Sequence, residues 1–217
     1  MKTLFIDASK KSLSIALKAS DELLFISNVD SHSKHSNFLM KEIDNILNKA
    51  NFDIKDVDNI IVLNGPGSFT GIRVGVTVAK TLSWTLNKRL YVLSNLEALK
   101  VGLYNDVVIS IIKDKNDYSY VGIYENNNKI IEEYLSIDDE KLNIKNKNIS
   151  LVSFEKSAFL NSLKEKLEKN NSVKITILED YDYEKLISYT LSKDSINVHS
   201  AKPIYLKKID AEKKNVN

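Results

Sequence analysis

The stretch "NGPGSFTGIRVGVTVAKTLSW", residues 64–84, decides how this chain is read. It begins at the end of the apolar run "NIIVLN" at 59–64, which predicts a short, fully buried strand. Gly65, Gly67 and Gly71 allow close backbone approach, and Ser68 and Thr70 add hydroxyls. The loop feeds a helix predicted from about 71 to 87, whose first N–H groups and dipole favour anions. The specific phosphate templates do not fit. A Walker A loop ends in Gly-Lys-Ser/Thr, but Gly71 is followed by Ile72 and Arg73. The run is G-x-G-x-x-x-G, one residue longer than the dinucleotide fingerprint. The residues alone leave two readings, a phosphate cradle or a tight structural turn, with Asp7, Ser9, Gly65, Gly67, Ser68, Thr70 and Gly71 as the candidate set.

The helix after the loop carries its own signal. Gly71, Gly75, Ala79 and Ser83 recur every four residues and make one face with almost no side chain. Val74, Val78 and Leu82 cover a second face, and Ile72 and Val76 a third. Glycine and β-branched residues are poor helix formers, so packing on several sides must hold this helix. Its own sheet and one neighbour leave a face over, which predicts a contact with another chain. A preceding helix near 34–50 has Leu39, Ile43, Ile46, Leu47 and Ala50 on one face, with Phe38 and Met40 beside them and Ser33 or Ser36 as N-cap. The predicted interface is therefore His35, Phe38, Leu39 and Ile43 on the first helix and Arg73, Val76, Ala79 and Lys80 on the second. Small residues at Gly75 and Ala79 would let a partner helix approach closely.

Outward from this centre, "KTLFID" at 2–7, "SLSIALK" at 12–18 and "DELLFISNV" at 21–29 predict an antiparallel meander. "RLYVLS" at 89–94 is a further strand, and Ser94 caps a helix opening "NLEALK". The order then repeats. Strands fall at 106–113, 118–125 and 129–136, followed by a strand at 149–154, a helix from Ser157 to about Lys169, a strand at 173–178 and a helix at 183–193. Both halves read as three antiparallel strands followed by alternating helix and strand, which implies mixed sheets flanked by helices. The boundary is placed near Tyr104: a lobe at 1–104 with the glycine loop, and a lobe at 105–217 whose tail is free to return to the first.

Composition narrows the function. The 217 residues are 43% hydrophobic and 28% charged, with no cysteine, which excludes thiolate catalysis and cysteine-ligated zinc. The net charge is +2 and arginine occurs only at Arg73 and Arg89, a poor footprint for direct nucleic-acid binding. No apolar run spans a bilayer and no secretory segment is evident, so a cytoplasmic chain without membrane attachment is expected. His32 and His35 lie three apart, but a zinc site needs a third ligand. No nucleophile–base couple stands out.

The glycine segment 64–84, "LFIDASKKSLSIAL", "HSNFLMKEIDNIL", "YVLSNLEALK" and the tail "KPIYLKKIDAE" together resemble the TsaB (YeaZ) family, densely over 3–100 and thinly over 101–200. The resemblance implies an α/β fold of the actin/hexokinase/Hsp70 (ASKHA) type, two ribonuclease-H-like lobes with mixed sheets flanked by helices. It implies a non-catalytic assembly subunit for N6-threonylcarbamoyladenosine (t6A) formation in tRNA, binding the catalytic paralogue TsaD together with the ATPase TsaE. A homodimer is implied when TsaD is absent, with tRNA met only through the complex. TsaD carries H-x-x-x-H after the strand corresponding to 89–94; the matching positions here are Asn95 and Leu99, which cannot replace histidine as metal ligands. No catalytic residue, metal or cofactor is expected, although weak ATP, ADP or Mg²⁺ binding at a subunit boundary stays open. The alternative is an enzyme of the superfamily, a sugar-kinase-like phosphotransferase or a glycoprotease-type peptidase. A kinase needs a second phosphate loop, and Gly122 is the sole glycine in residues 105–200.

Overall fold

The computed structural model describes residues 1–20, 22–30, 35–115 and 117–207. Among these residues ten strands form two five-stranded sheets. In the first, β1 (Lys2–Asp7), β2 (Ser12–Ala19) and β3 (Glu22–Asp30) are an antiparallel meander, while β4 (Asn59–Leu63) and β5 (Arg89–Leu93) run parallel to β1, in the order β3-β2-β1-β4-β5. The second sheet repeats this with β6 (Val107–Lys115), β7 (Tyr118–Glu125), β8 (Asn128–Ser136), β9 (Asn148–Ser153) and β10 (Ser172–Ile177) in the order β10-β9-β6-β7-β8. The repeated topology expected from strand order is therefore present. The "NNN" turn between β7 and β8 uses Asn126 and Asn127 at positive φ, a conformation asparagine tolerates.

Five helices accompany the sheets among the described residues: α1 (His35–Lys49), α2 (Phe69–Thr85), α3 (Asn95–Lys100), α4 (Ala158–Glu168) and α5 (Tyr183–Leu191). Helix α2 begins two residues earlier than the sequence predicts, because Ser68 rather than a later residue caps it, accepting from the Gly71 N–H. Helix α1 already includes Ser36, so that residue is not the N-cap; Ser33, like His32, lies outside the described residues.

The chain forms two compact units, Met1–Val101 with Asp182–Ile204, and Gly102–Tyr181 with the chain from Tyr205. A linear cut at 104 assigns α5 to the second lobe, but α5 packs on β2, β3 and β5 of the first sheet. The reason lies in strand alternation. Leu4 and Ile6 of β1 enter the core beneath α1 and α2, leaving Phe5 on the other face, where it meets Tyr183 of α5 edge to face at 5.6 Å. Buried on both faces, the first sheet needs a cover on each side. In the second unit, α4 supplies Phe159, Leu160, Leu163 and Leu167 to a core with Ile109, Ile111, Val121, Leu135 and Leu151.

Candidate functional site

The glycine loop is a knot closed by protein groups. Asp7, at the end of β1, is fully buried and its Oδ1 accepts from the Ser9 N–H at 2.8 Å and the Ser9 hydroxyl at 2.6 Å. Its other oxygen lies 4.0 Å from Lys10 Nζ. The Ser9 carbonyl accepts from the Ser68 N–H at 2.7 Å, so the turn after β1 touches the cap of α2 directly. Asn95 closes the ring from the start of α3. Its Nδ2 donates to Ser9 Oγ at 2.6 Å, its Oδ1 accepts from the Gly65 N–H at 2.8 Å, and its own N–H donates to the Gly65 carbonyl at 2.8 Å.

Two glycines make the knot possible. A Cβ on Gly67 would lie 2.5 Å from the Ser9 carbonyl oxygen, and one on Gly71 would lie 1.9 Å from that of Ala8. The far side of the loop is braced by the C-terminal segment of the same unit. Asn64 Nδ2 donates to the Lys202 carbonyl at 2.8 Å, and the Ile204 N–H donates to the Asn64 carbonyl at 2.8 Å. Of the candidate loop residues, the structure brings together Asp7, Ser9, Gly65, Gly67, Ser68 and Gly71. Thr70 is exposed on the first turn of α2 and stands apart.

Beside the knot, Glu97 and Lys100 of α3 face the end of α5. Burial would push the Glu97 carboxyl up, but hydrogen bonds from Lys193 and Tyr189 outweigh it and hold the group below the usual range. Burial lowers the Lys100 ammonium from its ordinary value. These groups tie α5 to α3. Among the described residues no three His, Asp or Glu side chains gather where a metal could be held.

Most of the interface predicted from sequence is core. His35, Leu39, Ile43, Val76 and Ala79 are buried within their own unit and present no surface to a partner. The stripe Gly71, Gly75, Ala79 and Ser83 faces inward: a Cβ on Gly75 would touch Ala8 and Val62, so the small side chains let α2 lie close on the sheet rather than on another protein. His35 lies under the loop, its ring Nε2 2.9 Å from the Lys10 carbonyl. Phe38 is half-buried, and Lys80 donates to the Ala201 carbonyl at 3.1 Å. Arg73 does face outward.

The outward stripe of α2 is Phe69, Arg73, Thr77, Thr81 and Trp84, flanked by half-buried Val74, Val78 and Leu82. Phe69 is 49% exposed and Trp84 is 67% exposed, more than a single-chain fold ordinarily leaves on two large aromatics of one helix. Sequence reasoning placed neither Phe69 nor Trp84 in the predicted interface. The available signal was helical phase: with the Gly/Ala/Ser stripe placed on the sheet, positions 69, 73, 77 and 84 point away from it.

Two mixed five-stranded sheets of one topology, the first covered by helices on both faces and the second packed by α4, define an α/β fold of the actin/hexokinase/Hsp70 type, and comparison with known proteins agrees. Residues 29–136 match the family model "TsaD: tRNA N6-adenosine threonylcarbamoyltransferase". The Bacillus subtilis (strain 168) "tRNA threonylcarbamoyladenosine biosynthesis protein TsaB" is 29% identical over 223 residues, covering 99% of this chain and 97% of the relative. The solved structure of YeaZ from Pseudomonas aeruginosa superposes with a TM-score of 0.70 at 20% identity, covering 94% of this chain and 99% of that one. A second Pseudomonas aeruginosa structure, described as similar to peptidase YeaZ, gives a TM-score of 0.75 at 19% identity, over 95% and 99%. The chain is thus similar over nearly its whole length to a TsaB protein and to YeaZ structures.

Proposed function

We propose that this chain is a non-catalytic assembly subunit in the formation of N6-threonylcarbamoyladenosine in tRNA. It binds a TsaD-type paralogue, supports its activity together with TsaE, and pairs with a second copy of itself when TsaD is absent. The full-length similarity to a TsaB biosynthesis protein supports the pathway. The observation that carries the non-catalytic reading is Asn95. Where the catalytic relative is expected to hold metal through two histidines, this chain has Leu99, which is buried and has no donor atom, and Asn95, whose amide is spent on Gly65 and Ser9.

The surface for assembly is the outward stripe of α2 with the exposed side of α1, where Met40 is 44% exposed. Phe69, Trp84 and Met40 are the large apolar anchors and Arg73 the charged one, a composition typical of interface centres. Two helices from each partner make a four-helix contact, and a two-fold axis lets one patch serve both copies of a homodimer. A specific contact of this kind removes on the order of 1,200–2,000 Å² from water. Among the described residues no helix is long and apolar enough to cross a membrane, which is compatible with work on tRNA in the cytoplasm.

The test is reconstitution. Purified chain, TsaD and TsaE are incubated with unmodified tRNA, ATP, threonine and bicarbonate plus the enzyme that makes the activated threonylcarbamoyl donor. The modified nucleoside is then quantified by mass spectrometry. The modification is expected only when the chain is present, with no turnover by the chain alone. Full modification in its absence, or phosphotransfer or peptide cleavage by the purified chain, would overturn the proposal.

A further inference from the structure

We infer that Asn95 is a positioning residue for the assembly face: it fixes the glycine loop and, through Ser9 and Ser68, the start of α2. The inference rests on the assembly reading above. Its physical basis is the direction of the hydrogen bonds. The Gly65 N–H can only donate, so the oxygen of the Asn95 amide must face it, and the amide nitrogen must face Ser9. The Ser9 hydroxyl spends its proton on Asp7 and is left as an acceptor for that nitrogen. Each group therefore has one role, and the order Gly65–Asn95–Ser9–Asp7 cannot be reversed.

The relay ends at the helix cap. With its side chain held from both sides, Ser9 presents its carbonyl to the Ser68 N–H, and Ser68 caps the first turn of α2. Phe69 follows immediately, at the start of the outward stripe. Asn95 is 2% exposed and cannot touch a partner, so any effect on assembly must pass through this chain of contacts.

The discriminating variant is Asn95→Asp. It keeps the size and the oxygen that accepts from Gly65, but replaces the donor facing Ser9 with a second carboxylate oxygen; the hydroxyl proton of Ser9 then serves only one of two acids. Amide hydrogen exchange is followed by NMR in the full chain, alongside binding to TsaD. In Asn95→Asp, the Ser68 amide is expected to exchange roughly tenfold faster while the Gly65 amide keeps its protection. In Asn95→Ala both lose protection, and in both variants TsaD binds roughly tenfold more weakly, with exchange in strands β1 and β4 as the measure of any global loss of stability. Ser9→Ala combined with Asn95→Ala is expected to cost less than the sum of the two, because they share one relay.

Unchanged Ser68 exchange in Asn95→Ala, or altered exchange with undiminished TsaD binding, would overturn the inference. Failure of the wild-type chain to bind TsaD would instead sink the assembly reading, and the exchange pattern would still report on the relay.

Discussion

The guanidinium carbon of Arg73 sits 3.8 Å from the centre of the Phe69 ring, one helical turn away on the outward side of α2. The pair is held before any partner arrives, so an apolar anchor and a cation are presented as one rigid group. Replacing both with alanine is expected to abolish homodimer formation and TsaD binding. Folding stability should fall by less than about 1 kcal/mol, since both side chains face solvent. Sedimentation equilibrium and urea unfolding on the same preparation check the two halves of this statement.

Val76 behaves differently. It is 3% exposed and packs in the first core, so Val76→Glu buries a carboxylate with nothing to pair it. The expected result is loss of on the order of 3 kcal/mol or more of stability, with assembly lost only because the fold is lost. A Val76→Glu chain that unfolds at the wild-type urea concentration would contradict the burial described here.

Gly71→Ala places a methyl group 1.9 Å from the Ala8 carbonyl oxygen, a backbone atom that cannot swing aside. Helix α2 would have to lift from the turn after β1. The expected cost is on the order of 2–3 kcal/mol, in the upper range for overpacking. Thr70→Ala, one residue away but exposed, is the matched control and should change stability by less than about 0.5 kcal/mol. Thermal unfolding of the two variants side by side provides the measurement.

In the second unit, the Tyr134 hydroxyl donates to Asp114 at 2.6 Å, and Lys207 donates to the same carboxylate at 2.7 Å. Burial first, then the hydrogen bond to Asp114 and that group's charge, push the Tyr134 phenol up to about 12. Burial would raise the Asp114 carboxyl, but the bonds from Lys207 and Tyr134 outweigh it and lower the group. The signs follow by linkage. The raised phenol contributes stability that is complete below the ordinary tyrosine range and fades as pH climbs through about 12. The lowered carboxyl contributes stability that is complete above the ordinary carboxylate range and is lost as pH falls below it. An ultraviolet phenolate titration is expected to show a late tyrosine step near pH 12. In Asp114→Asn that late step should move toward the ordinary value, because the negative charge that resists it is gone.

The sequence made much of this architecture legible, and the exceptions share a cause. The strand order could be read because alternation and turn residues are local. The Ser94 cap and the apolar run at 59–64 each state their role within a few residues. The orientation of α2 could not be read the same way. Ile72, Val74, Val76 and Val78 cover the helix nearly all round, so hydrophobic pattern alone sets no phase. What sets it is the contact of Gly71 and Gly75 with Ala8, more than sixty residues earlier in the chain. Asn95 was legible only as a missing histidine. That its amide joins Gly65 to Ser9 is a property of three segments meeting in space.

The helix that covers Phe5 is made of residues 183–191, while Phe5 belongs to the first strand. During synthesis, the ribosome therefore releases the first sheet long before its second cover exists. Over that interval the nascent chain carries an open apolar surface on a sheet whose other side is already dressed. Such a surface is what chaperones hold and what drives premature association. A message truncated after Tyr181 would leave that surface open for good: the product would retain all of α1 and α2 and still be expected to aggregate. In this protein the half that was made first is completed only after every strand of the second sheet has been made.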